Sequence, residues 1–554
     1  MVGLGLVSVV YFILLRGISF WFPGKEKGVL AETRAVLLVL SVLAIFLYGW
    51  HFFAPSSAFL ILPLMLVSLY GWWKKGGEWI ARARRGFRKM TKAEGFIGVL
   101  VFGLPLLFAA QVSTVADEGL YYAQSILWFE EVGWVKGLAN FDYFLGQGSA
   151  LHALESLLHF QFGNWRSNDV AAFLVALASL ELYLQRKMVG EWGVWIFIGG
   201  SYLMAGLFTA PNTDIIYLVL IPVLFFQSKT STWQMVLLVG LAALTKLNGL
   251  IFCILLLGTF KQNVRPSLLG TLGILFLVFF KSWWLTGYPL FPFSASLAWP
   301  VAWQIPAASF SMQEQFGLLQ SSDSLGALPS EWGNYFLQTA LLQGKMGIDS
   351  IFTYVFLVLS LLVAWGFVRG KEKNIIWAVF IVSFAILWLL FAPQIRLALP
   401  MLIFSLLLVF RRIKLPFDLY YYPLLFAFVL TISLFGKGSS LLYPQIRSWS
   451  TLIIPKNVWN EEHIACSTRT VDNLNFKKAA KGSFCYYACF PCQGHIFQDY
   501  LVEDSLYVAF PLGDDYSAGF SYRAVAFDKE LLKEFNSWDY VRQRGYLGVD
   551  VLER

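Results

Sequence analysis

Residues 95–140 read GFIGVLVFGLPLLFAAQVSTVADEGLYYAQSILWFEEVGWVKGLAN. The stretch 95–112 contains no charged side chain. It is long enough to cross most of the ~30 Å hydrocarbon core of a bilayer as a helix. Asp117 and Glu118 follow about five residues beyond it, close enough to sit at the membrane surface. A weakly amphipathic run comes next. Leu120, Ala123, Leu127 and Trp134 fall roughly on one face, with Gln124, Trp128 and Glu131 turned away. Such a helix is expected to lie along the interface. Carboxylates at that depth are costly unless they have partners or a task.

The rest of the chain agrees with a membrane setting. Of 554 residues, 58% are hydrophobic, 18% aromatic and 14% charged. Soluble domains average about 25% charged. These proportions exclude disorder, a collagen-like fibre and a disulfide-dense mini-domain, and they argue against a water-soluble multidomain enzyme. Charge is also unevenly spread: the 119 residues from Gly436 onward hold 13 Lys/Arg and 14 Asp/Glu. This divides the chain into a membrane part, 1–435, and a C-terminal segment, 436–554. Apolar runs predict spans near 3–22, 35–53, 57–73, 95–112, 168–185, 192–209, 214–228, 232–245, 248–260, 267–285, 350–368, 375–392, 397–410 and 417–435. Several are short, and the pair 232–245 and 248–260 reads equally as one bent or re-entrant unit, so the expectation is about 12–14 transmembrane helices.

Lys and Arg gather in alternate loops. One set holds the run from Lys74 to Lys92, Arg186/Lys187, Lys229, Lys261/Arg265, Arg369/Lys371/Lys373 and Arg411/Arg412/Lys414. The loop 113–167 has only Lys136 and Arg166, and the loop 286–349 only Lys345. By the positive-inside rule the basic set is cytoplasmic. The N-terminus, both long loops and the C-terminal segment are then expected outside. The run WKKGGEWIARARRGFRKMTK at 73–92 abuts two spans, and it reads as a topology anchor against anionic headgroups more readily than as a nucleic-acid or partner patch. The net charge of +8 therefore reports orientation, and no nucleic-acid partner is expected. The first span lacks a basic leader and a small-residue cleavage site, so it reads as retained.

Within this frame the sequence resembles GT-C-fold glycosyltransferases, integral membrane enzymes that use polyprenyl-phosphate-linked sugars. The likeness covers about residues 95–435, and it is greatest to a bacterial branch of GT-C-like membrane proteins. It rests on Asp117-Glu118, Leu120-Tyr121-Tyr122, Trp128-Phe129-Glu130-Glu131 and Gly137-Leu138-Ala139-Asn140. Further on, it rests on Pro211-Asn212-Thr213-Asp214, on Thr286-Gly287-Tyr288-Pro289-Leu290-Phe291-Pro292, and on Ala392-Pro393-Gln394-Ile395-Arg396. Tyr288 stands where such enzymes commonly have Asn. The Lys-Pro-Pro stretch of the aminoarabinose-transferase and protein-mannosyltransferase branches is absent; Gly146-Gln147-Gly148-Ser149 stands near its place. Acceptor type therefore does not carry over from those branches.

The resemblance implies an all-α polytopic fold in a bacterial inner membrane. It implies transfer of a sugar from a polyprenyl phosphate to an extracytoplasmic acceptor, with Asp117 as base or acceptor-orienting group. Glu118 is the alternative, and Asp214 a second acid. The chemistry needs a base for the acceptor hydroxyl and cations for the departing phosphate. Arg396 is the favoured phosphate partner, because a guanidinium pairs phosphate bidentately. Lys246 and Lys281 are weaker candidates that also read as snorkelling side chains. Tyr121, Tyr122 and Tyr288 are candidate substrate contacts. Trp299, Trp303 and Trp332 read as an interfacial belt or as sugar platforms. Glu181 reads as a partner of Arg186 or Lys187. No cofactor is obligatory on this reading and no protein metal site is expected, while a divalent cation stays open.

The segment 436–554 is expected to form a small α+β domain, with a strand at Ser505–Phe510 and a helix near 528–544. Cys466, Cys485, Cys489 and Cys492 most simply make two disulfides in an oxidising compartment. Cys489-Phe490-Pro491-Cys492 also has redox or zinc spacing, with His463 and His495 near in sequence. Cys253, within a span, reads as packing. Two rival classes remain alongside the transferase: a transporter or flippase of a lipid-linked glycan, and a non-catalytic GT-C-like subunit of an envelope assembly. An O-antigen polymerase or ligase is a related enzyme alternative.

Overall fold

A computed structural model of the chain describes residues 2–22, 29–109, 121–162, 165–167, 169–204, 207–208, 210–226, 231–260, 263–291, 300–305, 348–369, 374–391 and 395–411, and in the C-terminal segment 466–471, 474–479, 490–493, 500–502, 505–512, 515–518 and 520–526. The described residues are mostly helical. They fall into two compact units that interleave along the chain: residues 1–118, 149–275 and 352–458, and residues 119–148, 276–351 and 459–554.

The first unit is built from apolar helices. In chain order these are α1 (Val2–Ser19), α2 (Ala31–Trp50), α3 (Ile61–Gly71), α4 (Gly77–Arg88) and α5 (Lys92–Ala109). After residues assigned to the second unit come α8 (Ala150–Leu157), α9 (Val170–Leu184), α10 (Arg186–Val189), α11 (Glu191–Leu203), α12 (Ile215–Phe226), α13 (Thr232–Thr245) and α14 (Cys253–Phe260). α15 (Val264–Thr286) and α16 (Ile348–Arg369) have residues in both units; α17 (Ile375–Phe391) and α18 (Ile395–Phe410) complete the first. A helix occupies every expected span up to residue 410; the span expected at 417–435 lies outside the described residues. Three helices, Ala31–Trp50, Lys92–Ala109 and Val264–Thr286, are long and apolar enough to cross a membrane by length and composition. Eight more are apolar but shorter. Leu62, Leu66 and Leu69 on α3, and Leu361, Leu362 and Trp365 on α16, are exposed. Exposed apolar side chains of that kind along a helix suit hydrocarbon.

Charged side chains in this unit are matched at helix ends. Arg16 near the end of α1 pairs with Glu32 in the first turn of α2 at 2.5 Å. Glu181 is not the partner of Arg186 or Lys187, as its neighbourhood in sequence predicts. Its carboxylate accepts from the backbone N–H of Glu32 (3.0 Å) and Thr33 (2.9 Å) and from the Thr33 hydroxyl (2.9 Å), so it caps α2 from α9. The cause is local: the first N–H groups of a helix lack intrahelical partners and favour negative charge, and Leu30, which precedes α2 in a left-handed conformation, offers no side-chain cap. Arg186 instead pairs with Glu94 of α5 at 2.5 Å.

The second unit contains α6 (Ala123–Glu131), α7 (Leu138–Phe141), a 3-10 turn at Tyr143–Gln147 and the described C-terminal strands. A short hairpin, β1 (Phe160–Phe162) with β2 (Trp165–Ser167), belongs to the first unit. The C-terminal strands make two three-stranded sheets. β3 (Cys466–Val471) and β4 (Leu474–Ala479) pair antiparallel, and β5 (Cys492–Gln493) joins β4 in parallel. β6 (Tyr500–Val502), β7 (Ser505–Pro511) and β8 (Phe520–Ala526) form an antiparallel meander with Leu506 opposite Val525. The expected strand at Ser505–Phe510 is thus β7; the helix expected near 528–544 lies outside the described residues.

α6 differs from the amphipathic surface helix expected of it. Gln124 and Trp128, expected to turn away, are buried. Trp128 packs edge-on against Phe141, Phe490, Tyr516 and Phe520, and the Gln124 side-chain oxygen accepts the Cys492 backbone N–H at 3.0 Å. All of these but Phe141 come from more than 350 positions further along the chain, which is why periodicity within 120–134 could not show them. Glu131 alone of that polar face is exposed.

Candidate functional site

Asp117 and Glu118 lie outside the described residues, as do Cys485, Cys489, Trp299 and Trp332. Of Arg396 only its place in the first turn of α18 is described, and of Cys466 only its place at the start of β3. The remaining candidates fall in two places, one in each unit.

In the first unit, Pro211-Asn212-Thr213-Asp214 leads into α12. Asn212 folds the segment into a tight turn by accepting the Asp214 backbone N–H on Oδ1 at 2.8 Å. This brings the Asp214 carboxylate to the end of α13, where Lys246 Nζ donates to Oδ1 at 2.8 Å. The Asp214 side chain is 1% exposed and that of Lys246 21%. α13 stops at Thr245 because Lys246 is extended (φ −155°, ψ 147°), and the chain resumes as a 3-10 turn over Leu247–Phe252 before α14. Gly249 permits the break. Its backbone packs so close that a Cβ would stand 2.0 Å from the Ala242 carbonyl oxygen and 2.8 Å from the Tyr217 hydroxyl. Tyr217 reaches across from α12, and its hydroxyl donates to Asn248 Oδ1 at 2.9 Å. At about 1.5 Å per residue, the 14 residues of α13 reach only part-way across a bilayer core. The segments 232–245 and 248–260 are therefore two helices joined at an interruption, with a lysine at the joint.

His152 reaches the same turn from α8, and Glu155 lies next to it on that helix. They lie three residues apart on α8, on one face of the helix. His152 Nε2 sits 3.2 Å from the Pro211 carbonyl, and Glu155 Oε1 accepts the Val170 N–H at 3.1 Å, capping α9. Burial holds His152 well below its ordinary range, at about 3; the Pro211 carbonyl opposes this shift and the Lys246 charge adds to it. His152 is thus a neutral imidazole at physiological pH. Sequence reasoning missed both residues. The available signal was the His-x-x-Glu spacing in an otherwise apolar run, LHALESLL. Among the described residues no group of three or more His, Cys, Asp or Glu could hold a metal ion.

In the second unit, Lys281 is buried on α15 and donates to the carbonyls of Gln147 (2.6 Å) and Gly148 (3.0 Å). It thereby closes the 3-10 turn Tyr143–Gln147, whose other end is capped by Asp142 accepting the Phe144 N–H at 2.9 Å. Desolvation pushes Asp142 up to about 7, against two backbone hydrogen bonds that lower it. Tyr288 is fully buried with Ala139, Tyr143, Phe291 and Ile305; its hydroxyl donates to the Ile305 carbonyl at 3.2 Å and accepts from Gln304 Nε2 at 2.7 Å. Tyr121 and Tyr122 are also buried, with Tyr121 stacked on Phe144 at 5.1 Å. Trp303 stands with Trp283 and Trp284, and Lys136 Nζ lies over the Trp284 and Trp303 rings at 5.0 and 5.5 Å.

The Gly137-Leu138-Ala139-Asn140 element has a structural explanation. Gly137 (φ 63°) precedes α7, and a Cβ there would stand 2.1 Å from the Phe520 carbonyl oxygen. Asn140 donates to the Trp303 carbonyl at 2.9 Å and to the Phe520 carbonyl at 3.3 Å, stitching the turn to the second long loop and to β8.

The described residues are mostly helical, with three helices long and apolar enough to cross a membrane and a half-buried ion pair at a helix interruption. The chain belongs to a family described as a domain of unknown function (DUF8201), which matches residues 4–435. No curated protein and no solved structure matches it.

Proposed function

We propose that this protein is a GT-C-type membrane glycosyltransferase of a bacterial inner membrane. It moves a sugar from a polyprenyl-phosphate donor to an extracytoplasmic acceptor. The observation that carries the reading is the Asp214–Lys246 pair. The carboxylate holds a partly exposed ammonium at the interruption between α13 and α14. Asp214 takes one N–H of Nζ, and in this reading the ammonium, 21% exposed, offers its further donors to a phosphate oxygen. Lys246 is the phosphate contact of this proposal, with Arg396 as second cation, Asp117 as base and Glu118 as its alternate. Lys281 and Tyr288 are assigned to holding the loop architecture, because their polar atoms are engaged within the fold. The four cysteines 466, 485, 489 and 492 are assigned to disulfides outside the cytoplasm.

The test is release of free polyprenyl phosphate by the purified protein from polyprenyl-phosphate-linked sugars. Activity is expected from the wild type and loss is expected from Asp117→Asn. Full activity of Asp117→Asn at normal expression sinks the base assignment. A second reading, a flippase of the lipid-linked glycan, draws on the interrupted helix, since transporters place binding sites at such breaks. Movement of the intact donor across vesicles without phosphate release would favour it.

A further inference from the structure

α4 serves neither unit's interior. None of its twelve residues is buried. At 100° per residue its side chains sort cleanly around the axis. Ile80, Ala83 and Phe87 share one side; Arg82, Arg84, Arg85 and Arg88 occupy the rest, with Glu78 the single acid. Ile80 is 55% and Phe87 62% exposed. Trp79, between the two faces, is the tether: its indole donates to Glu32 at 3.0 Å and its ring packs on Phe12 and Trp72. The helix is joined to α3 by a single π-helical turn, Trp72–Gly76, and to α5 by a short turn. It is thus flanked by two apolar helices, one of them long enough to cross a membrane. An exposed apolar stripe beside four guanidiniums, next to apolar helices, matches a bilayer surface: acyl chains against Ile80 and Phe87, phosphate oxygens against the arginines.

We infer that α4 is a binding site for anionic phospholipid headgroups, and that the protein selects such lipids from a mixed membrane through it. This goes beyond orientation, because a topology signal needs only charge during insertion. A headgroup site needs the arginines to be held on one folded face in the mature protein.

The full chain reconstituted in nanodiscs of phosphatidylcholine mixed with phosphatidylglycerol provides the test. Native mass spectrometry reads which lipids stay bound. Wild type is expected to retain phosphatidylglycerol in preference, and the preference should fall as salt rises. The combined change of Arg82, Arg84, Arg85 and Arg88 to Gln should cut it about tenfold or more, while Lys at the same four positions should largely keep it. No preference in the wild type overturns the proposal, and so does a preference that salt leaves untouched. An unchanged preference in a folded Gln variant moves the site elsewhere and overturns it too. Should the Gln variant not fold, the salt titration and the Lys variant decide. Nucleic acid or a protein that copurifies with wild type and competes with phosphatidylglycerol would replace the lipid by a different polyanion or partner.

Discussion

Asp214 and Lys246 are unequal partners, and this asymmetry gives a measurable outcome. Replacing Lys246 by Met takes the ammonium away from a carboxylate that is 1% exposed, and breaking a buried pair in this way typically costs about 3–5 kcal/mol. Replacing Asp214 by Asn leaves an ammonium on a flexible stem that already reaches solvent, so the loss should be nearer about 1 kcal/mol. Thermal unfolding in detergent should therefore rank Lys246→Met well below Asp214→Asn, and the double variant should recover part of the difference. Equal losses would show that the pair is not the buried contact described. His152 supplies a pH effect. Its folded-state pKa of about 3 lies below the ordinary 6.5, so the unfolded chain takes up a proton that the folded one refuses. Stability from this group is complete above pH 6.5 and is lost as pH falls toward 3, at up to about 1.4 kcal/mol per pH unit. Asp142 acts oppositely, since its pKa is raised from 3.8 to about 7 and protonation favours the fold, so stability falls as pH rises through that window. Melting curves between pH 4.5 and 7.5 should show His152→Gln losing acid sensitivity and Asp142→Asn losing the decline on the alkaline side. Each of these residues except His152 is visible in sequence as a charge in a sparse background. Their pairing is not, because Asp214 and Lys246 meet only after α12 and α13 fold against each other.

At the scale of elements, α2 depends on a cap supplied from α9. Glu181→Ala removes the acceptor for two backbone N–H groups and one hydroxyl at once, and a cost of about 1–2 kcal/mol is expected. Hydrogen exchange should localise it: faster exchange at Glu32 and Thr33, with α5 and the Arg186–Glu94 pair unaffected. Protection unchanged at Thr33 would contradict the capping. Helix positions were legible in the sequence because each apolar run is bounded by polar or Gly/Pro residues, and a hydrophobic environment forces the backbone to satisfy itself locally. Partner choice was not. Glu181 has Arg186 five residues away, yet its carboxylate goes to an N-terminus 148 positions distant. The same distance effect hid the burial of Trp128 under Phe520 and recast Gly137 and Asn140, which resemble a family signature, as the seam between a loop and a strand. The interruption at Lys246 was open between one bent unit and two helices, since no proline marks it. The determinant is the close approach of Gly249 to Ala242, a contact invisible in composition.

At the scale of the molecule, orientation governs every chemical claim. The run 74–92 holds eight Lys/Arg and the single acid Glu78, whereas the long loop 113–167 holds two, Lys136 and Arg166. Such a difference in short flanking segments fixes sidedness during insertion. A fluorescent-protein fusion after Arg88 should therefore glow, and an alkaline-phosphatase fusion after Glu131 should be active, each reporter working only on its own side. The consequences are linked. If 113–167 lies outside, as that outcome would show, nucleotide sugars would be out of reach and a lipid-linked donor would be the one open to the proposed site at Asp117 and Lys246. Four C-terminal cysteines would meet an oxidising compartment, and α4 would face the cytoplasmic leaflet with its anionic lipids. Reversed reporters would remove all three at once: the thiols should then label freely with maleimide, and the donor would have to be sought among soluble activated sugars. Agreement between the fusions and intact disulfides in non-reduced peptide maps would make the outward side the place to look for substrate. The order of experiments is then topology first, donor second and Asp117 third.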